Sequence, residues 1–294
     1  MGEEGGIATG SDGPHPATSI IIRAKNEEAM LGETLRRLHT QTFRDFEIIL
    51  VDSGSTDRTI EIARGFASVR VVQMPASDFT FGRALNLGCR HSRGDIMVFL
   101  SAHALPGTDR WLAKLLAPFE DHQVAGVWGA QARRPGAEPA PRLVRQDLSG
   151  FHRNIYFGFN NSNGAARKAI WERFPFHEGM PGSEDKEWAM RVLALGYTLV
   201  HDSEAFVYHR HEDSIRQAWW RSHREHLGYV QFLPEHRVGI LENMRYAYYA
   251  IRGAWEPIRT PGRITRFARR VPRILATTAG RYTGSHRRTA RVFA

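Results

Sequence analysis

Apolar and polar positions alternate in a regular rhythm from residue 18 to about residue 119. Four runs of apolar, largely β-branched residues predict buried strands, at residues 19–24, 46–51, 69–73 and 96–100. Apolar residues at three- and four-residue spacing predict intervening and following helices, at residues 27–41, 56–66, 82–90 and 108–119. Strands that alternate with helices predict an α/β fold, with a single mostly parallel sheet flanked by helices.

The rhythm breaks after about residue 127, where a Pro-rich polar stretch predicts a loop at residues 133–142. Beyond it the pattern predicts a few further elements: helices at 184–195, 214–227 and 238–255, and strands at 198–201 and 205–208. Three prolines in the last 40 residues predict that no long helix forms there. We therefore expect three parts: a disordered leader (1–17), the α/β domain (18–235) and a C-terminal extension (236–294).

The composition argues against a disulfide-bonded, a zinc-cysteine or a membrane-spanning protein. The 294 residues are 42% hydrophobic and 24% charged, as in a globular protein with a sizeable core. A single cysteine excludes an intramolecular disulfide and a four-cysteine zinc site, and it suits a cytoplasmic setting. No apolar run approaches the roughly 20 residues that cross a bilayer.

The net charge of +9 is concentrated at the C-terminal end. From Arg252 onward there are 11 Arg and one acidic residue, a balance of +10, so the preceding residues sum to −1. A neutral body argues against a nucleic-acid partner. Apolar residues recur at helical spacing among these arginines, at Ile264, Phe267, Val271 and Ile274. This basic helical extension predicts contact with an anionic membrane surface or, alternatively, a helix packed on the body.

Candidate binding groups follow the predicted strands. Ligands of open α/β sheets bind at the carboxyl ends of the strands. The groups at those ends, with one preceding the fourth strand, are Arg23, Lys25, Asn26, Glu27, Asp52, Ser53, Arg83, Ser101, Ala102 and His103. Several cations and hydrogen-bonding groups at one edge suit a nucleoside diphosphate. No phosphate-binding P-loop and no G-x-G-x-x-G after a strand is present, which disfavours an NTPase or a dehydrogenase.

Several segments occur in an order that resembles glycosyltransferase family 2, the inverting enzymes of the GT-A fold. They are Asn26-Glu-Glu28, Val51-Asp-Ser-Gly-Ser-Thr-Asp57, Gly82-Arg-Ala-Leu-Asn-Leu-Gly88, Gly94 to Leu100, Ser183-Glu-Asp-Lys-Glu-Trp188 and Tyr208-His209. The resemblance covers residues 18–235 and is greatest to the bacterial rhamnosyltransferase-like branch.

The resemblance implies an enzyme that moves a sugar from a nucleotide-sugar donor, such as dTDP-rhamnose, to a glycan or lipid-linked acceptor. It implies Asp185 as the catalytic base and the strand-end groups as the donor site. It further suggests an acceptor or sugar pocket at Asn161, Asn163, Glu184 and Trp220. Such an enzyme would serve cell-surface polysaccharide synthesis, in the cytoplasm or at the inner face of the plasma membrane. A divalent cation, Mn²⁺ or Mg²⁺, would assist departure of the diphosphate.

Two departures from the family pattern leave alternatives open. Asp52 is followed by Ser53 rather than a second Asp, which opens the donor to dTDP or GDP sugars. Ser101-Ala-His103 replaces Asp-x-Asp, so a metal would be held by His103 with His209 or His211, since imidazole suits transition metals. Alternatively, arginine and lysine compensate the diphosphate without metal. A non-catalytic sugar-nucleotide or glycan-binding module is the competing interpretation, against which the retained Glu184-Asp185 counts.

Overall fold

The structure, a computed structural model, describes residues 16–209, 213–254 and 263–287. One sheet runs through it. Its strands are β1 (Thr18–Ala24), β2 (Phe46–Asp52), β3 (Val69–Gln73), β4 (Ile96–Ser101), β5 (Leu105–Pro106), β6 (Val124–Ala132), β7 (Leu143–Gln146), β8 (Asn163–Arg167) and β9 (Thr198–Tyr208).

The strand order is β3-β2-β1-β4-β8-β6-β9-β5, with β7 paired to β9. The first four strands pair in parallel, as predicted. Strand β8 runs antiparallel to both β4 and β6, so the second half of the sheet is mixed. This confirms the α/β prediction, and the mixed half is the part that the hydrophobic pattern did not reveal.

Ten α-helices accompany the sheet in the described residues. They are α1 (Leu31–His39), α2 (Thr59–Arg64), α3 (Phe81–His91), α4 (Trp111–Leu116), α5 (Leu148–Arg153), α6 (Lys168–Arg173), α7 (Glu184–Ala194), α8 (Ile215–Phe232), α9 (Ile240–Ala254) and α10 (Arg263–His286). Short 3₁₀ turns occupy Ala76–Asp78 and Ala117–Glu120.

Two apolar layers sandwich the sheet, because alternate residues of a strand point to opposite faces. Ile20 and Ile22 of β1 join one layer, with Trp111. Ile21 joins the other layer, which contains Phe99 and other aromatic side chains of the second half of the chain. All of these side chains are buried, and burial of a side chain of this size contributes roughly 1.5–3 kcal/mol.

Strands β6 and β8 consist largely of small residues, for a steric reason. A Cβ atom built at Gly129 in β6 would lie 1.7 Å from the carbonyl oxygen of Ala205 in β9. Only glycine fits where the backbones approach so closely. Because small residues carry no hydrophobic alternation, neither strand was predicted, and the apparent break after residue 127 is in fact the inner part of the sheet.

The C-terminal end of the described chain forms a long helix, contrary to the prediction from its prolines. Helix α10 spans 24 residues and continues through Pro272, so the expectation that no long helix forms there was wrong. A proline removes one helical N–H, and here packing of α10 on α8 offsets that loss. A Cβ atom at Gly284 would lie 2.2 Å from the carbonyl oxygen of His223, so the two helices are in backbone contact.

The segment predicted to contact a membrane lies in α10. Phe267, Val271 and Ile274 are half-buried there, and the side chain of Ile264 lies outside the described residues. Helix α10 therefore packs on the body of the protein, which was the second of the two interpretations of this segment. In the described part of the chain, no helix combines the length and the apolar character that crossing a membrane requires. The predicted leader falls, up to residue 15, outside the described residues.

Candidate active site

The loops that follow β1 and β2 are fastened to each other at the carboxyl edge of the sheet. Asn26 adopts a left-handed backbone conformation with φ of 56°. Its backbone N–H donates to Ser55 Oγ at 2.9 Å, and its side-chain Oδ1 accepts the backbone N–H of Thr56 at 2.8 Å. Asparagine tolerates this conformation better than other residues with a side chain. The two loops together form one wall of a site, and the exposed Asn26 bridges them.

Asp52 ends β2 beneath this wall and is fully buried. Its Oδ2 atom accepts the backbone N–H groups of Gly54 at 3.0 Å and Ser55 at 3.1 Å. Its Oδ1 atom has no hydrogen-bond partner among the described residues. A buried polar atom left without a partner is costly, so Oδ1 is suited to accept a ligand N–H. The neighbouring Ser53 donates both its N–H and its hydroxyl to the carbonyl oxygen of Ala24.

Two histidines from distant parts of the chain face each other across the site. His103 follows β4, His209 follows β9, and their Nε2 atoms lie 3.0 Å apart. The Nδ1 atom of His103 lies 2.9 Å from Glu27 Oε1, and that of His209 lies 3.0 Å from Gln131 Oε1. An oxygen acceptor beside Nδ1 favours the tautomer with the proton on that nitrogen, and in that tautomer Nε2 is the atom that accepts a hydrogen bond or binds a metal ion.

Two lone pairs at this separation require a proton or a cation near both. Metal–imidazole bonds are about 2.1 Å long, so two Nε2 atoms on one ion lie about 3 Å apart when the bonds are at right angles. A carboxylate on the far nitrogen is also the usual support of a ligating histidine. The pair therefore fits a transition-metal ion, although the described residues contain no group of three or more candidate ligands. His211 lies outside the described residues.

The loop that carries His103 contributes through its backbone. Ser101 donates its N–H to the carbonyl oxygen of Ser162 at 3.2 Å. Ala102 is buried, and its carbonyl oxygen accepts the hydroxyl of Thr34 at 2.7 Å. These bonds hold the loop against α1 and orient His103.

A carboxylate pair stands at the start of α7. Asn161 donates its side-chain amide to Glu184 Oε1 at 3.1 Å and its backbone N–H to Asp185 Oδ2 at 3.3 Å. The N–H of Lys186 donates to Asp185 Oδ1 at 2.8 Å. The helix begins after Ser183, whose φ of 61° turns the chain sharply into it. Asp185 is thus held in one orientation by two backbone N–H groups, at a helix terminus that favours negative charge.

Arg23 supplies the positive charge that balances this pair. Burial, and after it the charge of Asp185, raise the pKa of Glu184 to about 7, and Arg23 opposes the shift. Burial lowers the pKa of Arg23, and the two carboxylates raise it. An arginine nevertheless stays charged. The Arg23 guanidinium also lies 5.1 Å over the ring of Phe81, which fixes its position.

The remaining candidate residues are placed as follows. Lys25 is exposed at the same edge. Arg83 points away toward Glu178, with Nε 3.2 Å from Glu178 Oε2. Asn163 is buried in β8 and bonds to Trp111 Nε1 and to the carbonyl oxygens of Ala130 and Ala205, so its side chain is occupied within the sheet. Trp220 is exposed on α8 and packs edge-on against Trp219.

Three site residues escaped the sequence reasoning. Gln131 orients His209, yet it lies in β6, a strand that the hydrophobic pattern did not show. Phe81 carries Arg23 on its ring, and Arg224 of α8 also lies 5.1 Å from the centre of that ring. Phe81 precedes the predicted helix by one residue, and no local signal marks it as a site residue.

Comparison with known proteins identifies the family of the chain. A sequence model described as "Glycosyl transferase family 2" matches residues 19–179. The chain is 25% identical over 220 residues to the O-antigen chain rhamnosyltransferase RfbN of Salmonella typhimurium, covering 69% of each protein. It is 28% identical over 224 residues to the O-antigen chain rhamnosyltransferase WbaN of Salmonella anatum, covering 70% of each.

Solved structures show the same fold. The mannosyltransferase PcManGT from Pyrobaculum calidifontis, in complex with GDP-Man and Mn²⁺, matches 92% of this chain and 73% of its own, with a TM-score of 0.59 and 19% identity. TarS 1–349 of S. aureus, in complex with UDP-GlcNAc, matches 90% of both chains with a TM-score of 0.57 and 16% identity. The family match spans more than half of the sequence. The chain therefore belongs to glycosyltransferase family 2, and it is a rhamnosyltransferase-like glycosyltransferase with the GT-A fold.

Proposed function

We propose that this protein is an inverting glycosyltransferase that moves a sugar from a nucleotide donor to a glycan or lipid-linked acceptor in cell-surface polysaccharide synthesis. The observation that carries the proposal is Asp185, held by two backbone N–H groups beside Arg23 at the carboxyl edge of the sheet. The Salmonella relatives, named as O-antigen chain rhamnosyltransferases, favour dTDP-rhamnose as the donor.

In the proposed reaction Asp185 accepts the proton of an acceptor hydroxyl. The oxygen attacks the anomeric carbon of the donor from the face opposite the diphosphate, and the bond from that carbon to the diphosphate oxygen breaks. The nucleoside diphosphate departs with the bonding electrons. The two N–H bonds that orient Asp185 leave the carboxylate no freedom to turn away, which is what a positioned base needs.

The nucleotide base would lie against the wall formed by the loops after β1 and β2. Asp52 Oδ1, next to this wall, is a buried acceptor without a hydrogen-bond partner among the described residues. Thymine, uracil and guanine each present a ring N–H that this oxygen would accept. Ser53 is engaged with Ala24, so base recognition here rests on Asp52 alone of the two.

A cation would be held by His103 and His209, and it would neutralise charge that develops on the departing diphosphate. Paired imidazoles favour Mn²⁺ over Mg²⁺, because Mg²⁺ prefers oxygen ligands. Arg23 and Lys25 add positive charge at the same edge. Arg83 is paired with Glu178, so fewer arginine and lysine side chains remain to neutralise the diphosphate without a metal ion.

A lipid-linked acceptor would lie at the membrane surface, so we place the enzyme in the cytoplasm, at the inner face of the plasma membrane. This placement concerns the whole protein and is tested separately from catalysis.

The test is turnover of a panel of dTDP-, UDP- and GDP-sugars with Mn²⁺, Mg²⁺ or EDTA, in the presence of membrane extract as acceptor source. We expect Asp185→Asn to lose turnover by a factor of about 10² to 10⁴ while donor binding persists, as for loss of a general base. Asp202→Asn, which alters a buried carboxylate on β9, is the matched control and should retain activity. Donor binding with no turnover in the wild type would favour a binding module instead.

A further inference from the structure

Helix α9 has one face on the body and one face outside it. The inner face is defined by polar contacts with α10: Asn243 donates to the carbonyl oxygen of Thr278 at 2.9 Å. Arg281 lies 4.2 Å over the ring of Tyr246 and 3.3 Å from Glu242. These contacts fix which way the helix faces, because residues 242, 243 and 246 lie on adjoining positions of one side.

The opposite side of α9 is exposed and apolar. We call it the outer face of α9, and it consists of Leu241, Met244, Arg245, Tyr248 and Arg252. The exposed fractions of its apolar side chains are 77% for Leu241, 63% for Met244 and 58% for Tyr248. Three such residues on one stripe form a patch that a soluble surface rarely leaves uncovered.

We propose that the outer face of α9 rests on an anionic membrane surface. Both ionic side chains of the face are arginines. The acidic residue of α9, Glu242, lies on the inner face and pairs with Arg281. The sequence from Arg252 onward adds a balance of +10, whereas the preceding residues sum to −1.

This charge distribution selects the occupant. A second copy of the chain, docked by the same face around a two-fold axis, would bring the arginines of one copy close to those of the other, and like charges across an interface are repulsive. An anionic lipid surface attracts them. Tyrosine side chains also suit the boundary between headgroups and acyl chains, where one end of the ring is apolar and the hydroxyl is wet.

The outer face of α9 would be the part of the protein that contacts the membrane at the location proposed above. This contact rests on that proposed location but does not depend on catalysis. It also differs from the sequence prediction, which assigned the contact to residues 264–274 of α10. Helix α10 packs on α8, and α9 is the helix that remains open.

The test is flotation of the full chain with vesicles rich in phosphatidylglycerol and, separately, with vesicles of phosphatidylcholine. We expect binding to the anionic vesicles that weakens with added salt. The double variant Met244→Glu, Tyr248→Glu should reduce that binding at least about tenfold, since it removes apolar insertion and adds negative charge. Arg245→Gln and Arg252→Gln should each reduce it about fivefold.

Leu143→Glu is the matched control, because Leu143 is 64% exposed on β7, far along the chain from α9. It should bind vesicles as the wild type does. Donor hydrolysis should be equal in all variants, so loss of vesicle binding is separable from loss of the active site. Equal binding to both vesicle types, or none to the anionic ones, would overturn the proposal. A concentration-dependent dimer that the double variant disrupts, without vesicle binding, would assign the face to a second copy.

Discussion

Replacing Glu184 by Gln exchanges a buried, titrating carboxyl for a neutral group of nearly the same shape. The oxygen that accepts the Asn161 amide at 3.1 Å is retained in the variant. In the folded protein the pKa of Glu184 is about 7, because burial and the neighbouring Asp185 both disfavour its ionised form. In the unfolded chain the carboxyl has its ordinary value of 4.5.

The sign of the effect follows from these two values. Below pH 4.5 the carboxyl is protonated in both states and stability is unaffected by it. As the pH rises from 4.5 to about 7, the unfolded chain releases a proton that the folded protein keeps, so the free energy of unfolding falls. At about 1.4 kcal/mol per pKa unit the full loss is about 3 kcal/mol, complete above pH 7.

Urea unfolding measured between about pH 5 and pH 8 checks this reasoning. The wild type should lose about 3 kcal/mol more than Glu184→Gln over that range. Glu172→Gln, an exposed carboxyl on α6, should follow the wild type. Asp185→Asn should show a smaller loss, because the charge that raises the pKa of Glu184 is gone. If Glu184→Gln loses as much stability with pH as the wild type, Glu184 is not held protonated and the reasoning fails.

Three further predictions concern separate parts of the structure. Glu27→Gln should weaken Mn²⁺ binding 10- to 100-fold, as expected for a carboxylate that supports a ligating histidine. Electron paramagnetic resonance of bound Mn²⁺ measures this affinity, and an unchanged affinity would contradict the histidine site. Gly284→Ala should destabilise the protein by about 1–3 kcal/mol, because its Cβ would meet the His223 carbonyl; thermal unfolding reports this. Asn163→Ala should lower the free energy of unfolding by about 1–3 kcal/mol for each buried group left unpaired, and leave the KM for the donor unchanged. A raised KM would instead support the predicted position of Asn163 in the sugar pocket.

The first half of the fold was readable from the sequence because β1, β2 and β4 are largely buried and appear as apolar runs. The edge strand β3 is partly exposed but keeps three valines, and all four strands lie within a residue or two of their predicted positions. Strands β6 and β8 carry glycine, alanine and asparagine where backbones meet closely, as at Gly129, and these small residues interrupt the apolar run that would predict a strand. Helix α10 was missed because the local penalty of Pro272 is outweighed by contacts with α8, which only the tertiary structure shows.

The site shows the same division between local and long-range information. His103 and His209 were singled out by residue type and position, and the structure brings them together. Their supports could not be predicted in the same way. Gln131 lies in a strand that the sequence conceals, and the direction of Arg83 depends on Glu178, which lies 95 residues away. Residue type identifies candidates, whereas distant packing decides which of them share a site.

The bridge made by Asn26 has a consequence for the thermodynamics of ligand capture. The left-handed backbone conformation of Asn26 raises the free energy of the folded chain slightly, whether or not a ligand is bound. In return, the loops after β1 and β2 are already immobilised against each other when no ligand is near. A molecule that settles on this wall therefore does not have to order it, and more of the contact energy is retained as affinity. In the proposed donor site, Asn26 would thus assist binding by making the wall rigid before a ligand arrives.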